Sequence, residues 1–160
     1  MRLTLAWIIL GTFVFASPLV ANWQYTKWGM NPAQVAGASH GTATEPTDEE
    51  KAAESEDGNV PLLKAPWHSG SLEFTAYFYF TRGKAKRLNH VSLTLEKGDG
   101  RELLGALRQK YGKALSSDEG QTMTLEVWHR NGDQITYKAV VDKLFSVIYQ
   151  SLRNSDNSAL

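Results

Sequence analysis

The chain has 160 residues, 17 Lys plus Arg against 17 Asp plus Glu, and no cysteine. A formal net charge of zero lacks the broad basic footprint of a dedicated nucleic-acid binder, and the absence of thiols excludes disulfides, thiolate metal sites and lipid attachment at cysteine. Stability must come from packing, for which the roughly 139 residues beyond an N-terminal targeting segment suffice as one domain.

That segment opens the chain. Met1-Arg2 leads into the apolar run Leu3 to Ala16 (LTLAWIILGTFVFA), followed by Ser17-Pro18 and the small residue Ala21. A basic start, an apolar stretch and a small-residue exit read as a signal peptide over residues 1–21. The run is shorter than the roughly 20 residues that span a bilayer. Cleavage after Ala21 is expected, with Val14-Phe15-Ala16 as a second possible site. The implied location is periplasmic or secreted, without stable membrane insertion after cleavage; the alternative is an uncleaved inner-membrane anchor.

Residues 22–153 then read as one α+β domain. WQYTKWGMNPAQV (residues 23–35) ends in a helix start: Asn31 caps, Pro32 suits the first helical position, and Gln34 can return to the cap's amide. Met30 and Val35 form a hydrophobic staple that steers Trp23, Tyr25 and Trp28 onto the core. The helix is expected to close near His40-Gly41. Residues 42–59 read as a flexible acidic loop, since Glu45 to Asp57 holds seven acids against Lys51 and little apolar surface.

Leu72 to Phe80 alternates Leu72, Phe74, Ala76, Phe78 and Phe80 against polar neighbours, and Leu88 to Glu96 places Val91, Leu93 and Leu95 on one parity. Period two predicts two half-buried strands, joined by the basic connection TRGKAKR, whose charges discourage unwanted pairing at the sheet end. Asp99 and Glu102 predict a capping box for a second helix bearing Leu103, Leu104, Leu107 and Tyr111, closed at Gly112. Thr122 to His129 predicts a strand with Met123, Leu125 and Val127 inward. Asn131-Gly132 supplies a tight turn, and Gln134 to Val140 returns with Ile135, Tyr137 and Ala139 inward. Leu144 to Leu152 is a further strand of open parity, and residues 154–160 form a frayed tail. The expected architecture is two layers: two short helices on one face of an antiparallel sheet of five or six strands, in helix-sheet-helix-sheet order.

The WGMNPAQV start resembles the helix opening of SmpA/OmlA-type outer-membrane assembly lipoproteins, and the layout resembles β-lactamase inhibitor proteins. LRQKYGKALS followed by TLEVWHRNGDQITY is similar to the helix, Tyr-Gly turn and Trp-bearing strand of exported proteins of this fold. Gly29, Met30, Val35 and Tyr111-Gly112 carry the match. The chain has neither the lipid-acceptor cysteine of the lipoproteins nor the paired cysteines of the inhibitors. What the resemblance implies is an exported interaction module whose open sheet face binds protein, with no catalytic residues.

The residues themselves hold no recognisable catalytic set. His40, His68, His90 and His129 lack the spacing that puts two imidazoles on one metal. Ser69-Gly70-Ser71 is not a nucleophile elbow, and Glu73, Glu96 and Glu126 show no carboxylate pairing. Neither catalysis nor a cofactor is expected. If the apolar parity meets the helices, the open face collects Tyr77, Tyr79, His90, Glu126, Trp128 and Lys138 among Thr75, Thr94, Thr124 and Thr136. Rigid aromatics amid polar groups suit a protein-binding surface for an envelope partner, although β-propensity also enriches exposed sheets in Tyr, Trp and Thr. The alternative is a carrier holding a small apolar ligand between helices and sheet, against Phe74, Phe78, Phe80, Trp67 and Trp28.

Overall fold

The computed structural model describes residues 23–52, 58–141 and 143–155. The expected signal peptide, part of the acidic loop and the end of the expected tail lie outside the described residues. In chain order the elements are α1 (Pro32–Ala38), α2 (Asp48–Ala52), β1 (Val60–Ser69), β2 (Leu72–Phe80), β3 (Leu88–Lys97), α3 (Gly100–Tyr111), β4 (Ser116–Glu119), β5 (Met123–Arg130), β6 (Asp133–Val140), β7 (Leu144–Ser151) and α4 (Leu152–Ser155). All seven strands form one antiparallel sheet in the order β1-β2-β3-β7-β6-β5-β4. The α+β class and the antiparallel sheet agree with the sequence reading; the strand number and simple helix-sheet-helix-sheet order do not.

Both additional strands are sheet edges with weak local signals. β1 carries Pro61 and Pro66, which an edge strand accepts because a missing N–H need not interrupt a central ladder. β4 is Ser-Ser-Asp-Glu, exposed throughout, and has no apolar alternation to find. It forms because β5 supplies its partner through a short hairpin. The acidic loop is also partly structured. Thr47 and Glu50 exchange side-chain bonds with each other's amides, a capping box for α2.

Local capping elsewhere follows the sequence closely. Asn31 Oδ1 accepts from the Gln34 amide, and Gln34 Oε1 from that of Asn31, each at 2.9 Å. α1 stops at Ser39, just before His40 and Gly41, whose φ angles are 51° and 85°. Asp99 caps α3 by accepting from the Arg101 and Glu102 amides. The Glu102 carboxylate accepts from the Ser71 hydroxyl instead of returning to the cap. Gly100 is required at the next position: a Cβ there would lie 2.2 Å from the Phe145 ring, so the helix start rests directly on β7.

α1 and α3 cover one face of the sheet. Under and beside α1 lie Trp23, Val35, Leu63, Phe74, Phe78, Phe80 and Val91, while Leu103 and Leu107 of α3 join Trp128, Ile135, Tyr137 and Val147 in the same core. Trp23 stands edge-on to Trp67 and Phe78, with ring centroids 5.5 and 5.6 Å away, a favoured aromatic geometry. Thus the aromatic run before α1 packs into the fold. Trp28 Nε1 donates to Asp133 at 2.7 Å, tying the N-terminal segment to the start of β6. Burial holds the Asp133 carboxyl above its usual range, opposed by that indole bond.

Candidate functional site

Cross-strand pairing assigns every strand residue to a face, since directly paired residues share one. Tyr77 pairs with Lys64 and Ser92, Tyr79 with His90, and Lys138 with Leu125 and Ser146. These belong to the second face, opposite α1 and α3. Tyr77, Tyr79, His90 and Lys138 therefore lie where alternation puts them.

Glu126 and Trp128 do not. They pair with Tyr137 and Ile135, sit on the helix-covered face, and are each only 2% exposed. The indole Nε1 of Trp128 donates to the Gly112 carbonyl at 2.9 Å. Glu126 accepts from Arg108 Nε through both carboxylate oxygens at 3.1 Å and also from Arg108 Nη2. The end of α3 thus supplies a cation for the carboxylate and a carbonyl for the indole, satisfying two polar groups in a core position. Thr124, paired with Ala139, follows them inward.

The correction was available from a signal already in the sequence. Asn131 and Gly132 have φ of 53° and 85°, both positive as a primed two-residue turn requires. Such a turn pairs Arg130 with Asp133, and therefore Trp128 with Ile135 and Glu126 with Tyr137. Once Ile135 and Tyr137 are inward, Trp128 and Glu126 must be inward too. A one-residue change of parity turns the whole strand over.

The same register sends Met123, Leu125 and Val127 to the second face. It also resolves β7: Phe145, Val147 and Tyr149 face the helices, whereas Leu144, Ser146, Ile148 and Gln150 face away. The second face consequently has two different halves. On β5–β7 it carries Met123, Leu125, Val127, Val140, Leu144 and Ile148 around Thr136 and Lys138. Met123 is 39% exposed and Leu144 53%, and Val141 in the adjoining turn is exposed as well.

On β1–β3 it is polar and internally bonded. Lys64 Nζ donates to Glu50 at 2.7 and 2.8 Å, and Tyr77 Oη donates to the same carboxylate at 2.7 Å. The Lys64 ammonium, the Tyr77 hydroxyl and the Thr47 amide together hold Glu50 down at about 2. Burial and the facing Glu50 push the Tyr77 phenol well above its ordinary range. α2 is thereby fastened over this half. Next to it, Tyr79 stacks on His90 with ring centroids 4.4 Å apart, and His90 is buried.

Two grooves lie elsewhere. One of about 550 Å³ is lined by Arg108, Gly112, Lys113, Ala114, Ser117 and Glu126; another of about 300 Å³ lies between Asn31-Pro32 and Lys84 to Arg87. Neither is lined by Phe74, Phe78, Phe80, Trp67 or Trp28. Among the described residues there is no group of three or more His, Asp or Glu side chains placed to hold a metal, and no helix long and apolar enough to cross a membrane. Comparison with protein-family models, curated proteins and solved structures yields no match for this chain.

Proposed function

We propose that this is an exported, non-enzymatic protein-interaction module of the cell envelope, and that its working surface is the β5–β7 half of the second sheet face. The observation that carries the reading is the apolar set Met123, Leu125, Val127, Leu144 and Ile148 on a face that neither α1 nor α3 covers. Water-facing apolar residues gathered on one surface mark association sites more often than scattered ones do. Lys138 and Thr136 lie within the set and would orient a partner. Tyr77 and His90 contribute less to this reading because they are engaged by Glu50 and Tyr79. Export rests on the apolar run Leu3 to Ala16 and the small residue Ala21.

Capture from envelope extract with the wild type and a Met123→Ser/Leu144→Ser variant tests the surface. The variant should keep its fold and lose the partners recovered by the wild type; equal recovery by both would reject this face. N-terminal sequencing of the exported chain tests the targeting segment, and a cytosolic chain beginning at Met1 would refute it. The ligand-carrier alternative would place its ligand against Phe74, Phe78, Phe80, Trp67 and Trp28, none of which lines either groove, and an apolar molecule co-purifying with the protein would favour it.

A further inference from the structure

The two edges of the sheet differ in what they offer another chain. On β1, Pro61 and Pro66 have no N–H to donate, and Lys64 already exchanges both backbone bonds with Thr44 at 2.8 Å. Among the described residues β4 has no such cover: Ser116 to Glu119 are all exposed. Its inner ladder pairs Ser116 with Val127 and Asp118 with Leu125, and the Gly120 amide donates to the Met123 carbonyl. In an antiparallel ladder bonded pairs alternate. With Gly120 bonded inward, Asp118 and Ser116 are too, and the N–H and C=O groups of Ser117 and Glu119 point out of the sheet.

The side chains decide what could use that edge. Ser116 and Asp118 share the second face with Val127 and Leu125, so Asp118 borders the apolar set directly. Glu119 lies on the other face, where its carboxylate accepts from Arg108 at 3.2 Å. A second copy pairing antiparallel in the register centred on Asp118 would set the two Asp118 carboxylates directly opposite each other, which like-charge repulsion opposes. A strand carrying Lys or Arg opposite Asp118, with apolar residues two positions away, meets no such repulsion and extends the apolar surface of β5. We propose that β4 is a docking edge on which an extended, basic, amphipathic segment of a partner protein adds as an eighth strand. This rests on the reading of the β5–β7 face as the working surface and names the partner's chemistry. Backbone bonds to Ser117 and Glu119 supply affinity, while Asp118 and the apolar strip select the sequence.

The test uses the full chain and a short synthetic peptide, Val-Thr-Lys-Thr-Val, whose lysine and two valines share one strand face, with amide hydrogen exchange read at Ser117 and Glu119. At about ten times its Kd the lysine peptide should slow exchange at both amides on the order of tenfold, and added salt should weaken the effect. The same peptide with glutamate for lysine, or with its backbone methylated at alternate amides, should give no protection. Protection by all three peptides, or by none, overturns the proposal. Ser117→Pro removes an outward N–H that the inner ladder does not use together with a hydroxyl bond to Glu126 at 3.4 Å, so its melting temperature should match that of Ser117→Ala, which keeps the N–H, yet it alone should abolish lysine-peptide binding. If it fails to fold, the methylated peptide decides the same point from the other side. Two further results separate the edge from the face. Partner capture lost in Met123→Ser/Leu144→Ser but unchanged in a folded Ser117→Pro overturns strand addition and leaves the face standing. Lysine-peptide protection alongside undiminished capture by Met123→Ser/Leu144→Ser sustains the edge and rejects the face.

Discussion

The β1–β3 and β4–β7 halves of the sheet solve the same packing problem in opposite ways. In the first, the helix-covered face is almost wholly aromatic and aliphatic, and the second face is polar and closed by Glu50 on Lys64 and Tyr77. In the second, an ion pair and a tryptophan bonded to a helix-end carbonyl lie under α3, while apolar residues look outward. The contrast teaches that hydropathy identifies an inward face only where no helix end offers partners for polar groups. α3 ends at Tyr111 beside β5, and its Arg108 and Gly112 make Glu126 and Trp128 admissible as core residues.

Each half of the sheet has one large aromatic at its centre, and losing it should have the largest effect. Phe78→Ala in the first half and Trp128→Ala in the second should each cost about 3–5 kcal/mol in denaturant unfolding, a large share of a small domain's stability. A Trp128→Ala protein of unchanged stability would mean that the indole is not in the core. Next in size is the ion pair between buried Glu126 and half-exposed Arg108. Arg108→Ala should cost about 2 kcal/mol, less than breaking a fully buried pair, because water reaches the guanidinium side of the site, and Arg108→Ala/Glu126→Leu should recover much of that loss. A double variant no more stable than Arg108→Ala would show that the pair is not the source.

Acid should act first on the other half. Glu50 is held at about 2 by Lys64, Tyr77 and Thr47, so its folded value lies below its ordinary one. The sign follows directly: its stabilising contribution is fully present above the ordinary carboxylate range and is lost as pH falls toward 2. Amide exchange in α2 should therefore accelerate over that window before the global unfolding transition, and Glu50→Gln should flatten the response. Uniform acid sensitivity across both halves would deny that Glu50 fastens α2. The smallest stability effect belongs to the outward apolar residues. Met123→Ser and Leu144→Ser should each change stability by no more than about 0.5 kcal/mol, and a larger loss would indicate that this half is covered as the first one is.

What the sequence determined by itself is local. The Asn31-Gln34 box, the Asp99 cap, the Asn131-Gly132 turn and the alternation of β2, β3 and β6 depend on partners a few residues away or on the strand's own period. Candidate site residues were legible to the same extent: Tyr77, Tyr79, His90 and Lys138 sit on strands whose parity is plain.

Only tertiary structure decided the rest. β1 and β4 exist because neighbouring strands supply their ladders, against two prolines in one and an all-polar sequence in the other. Leu88 reaches the core through the irregular register between Tyr79–His90 and Phe80–Leu88, which returns it to the side of Val91. The Asn131-Gly132 register turns Glu126 inward, but the partner that satisfies its carboxylate there, Arg108, stands 18 residues earlier in the chain, and Glu50 found Tyr77 27 residues later. Alternation in one strand says that its two faces differ, but long-range pairing and the ends of packed helices determine which face is buried.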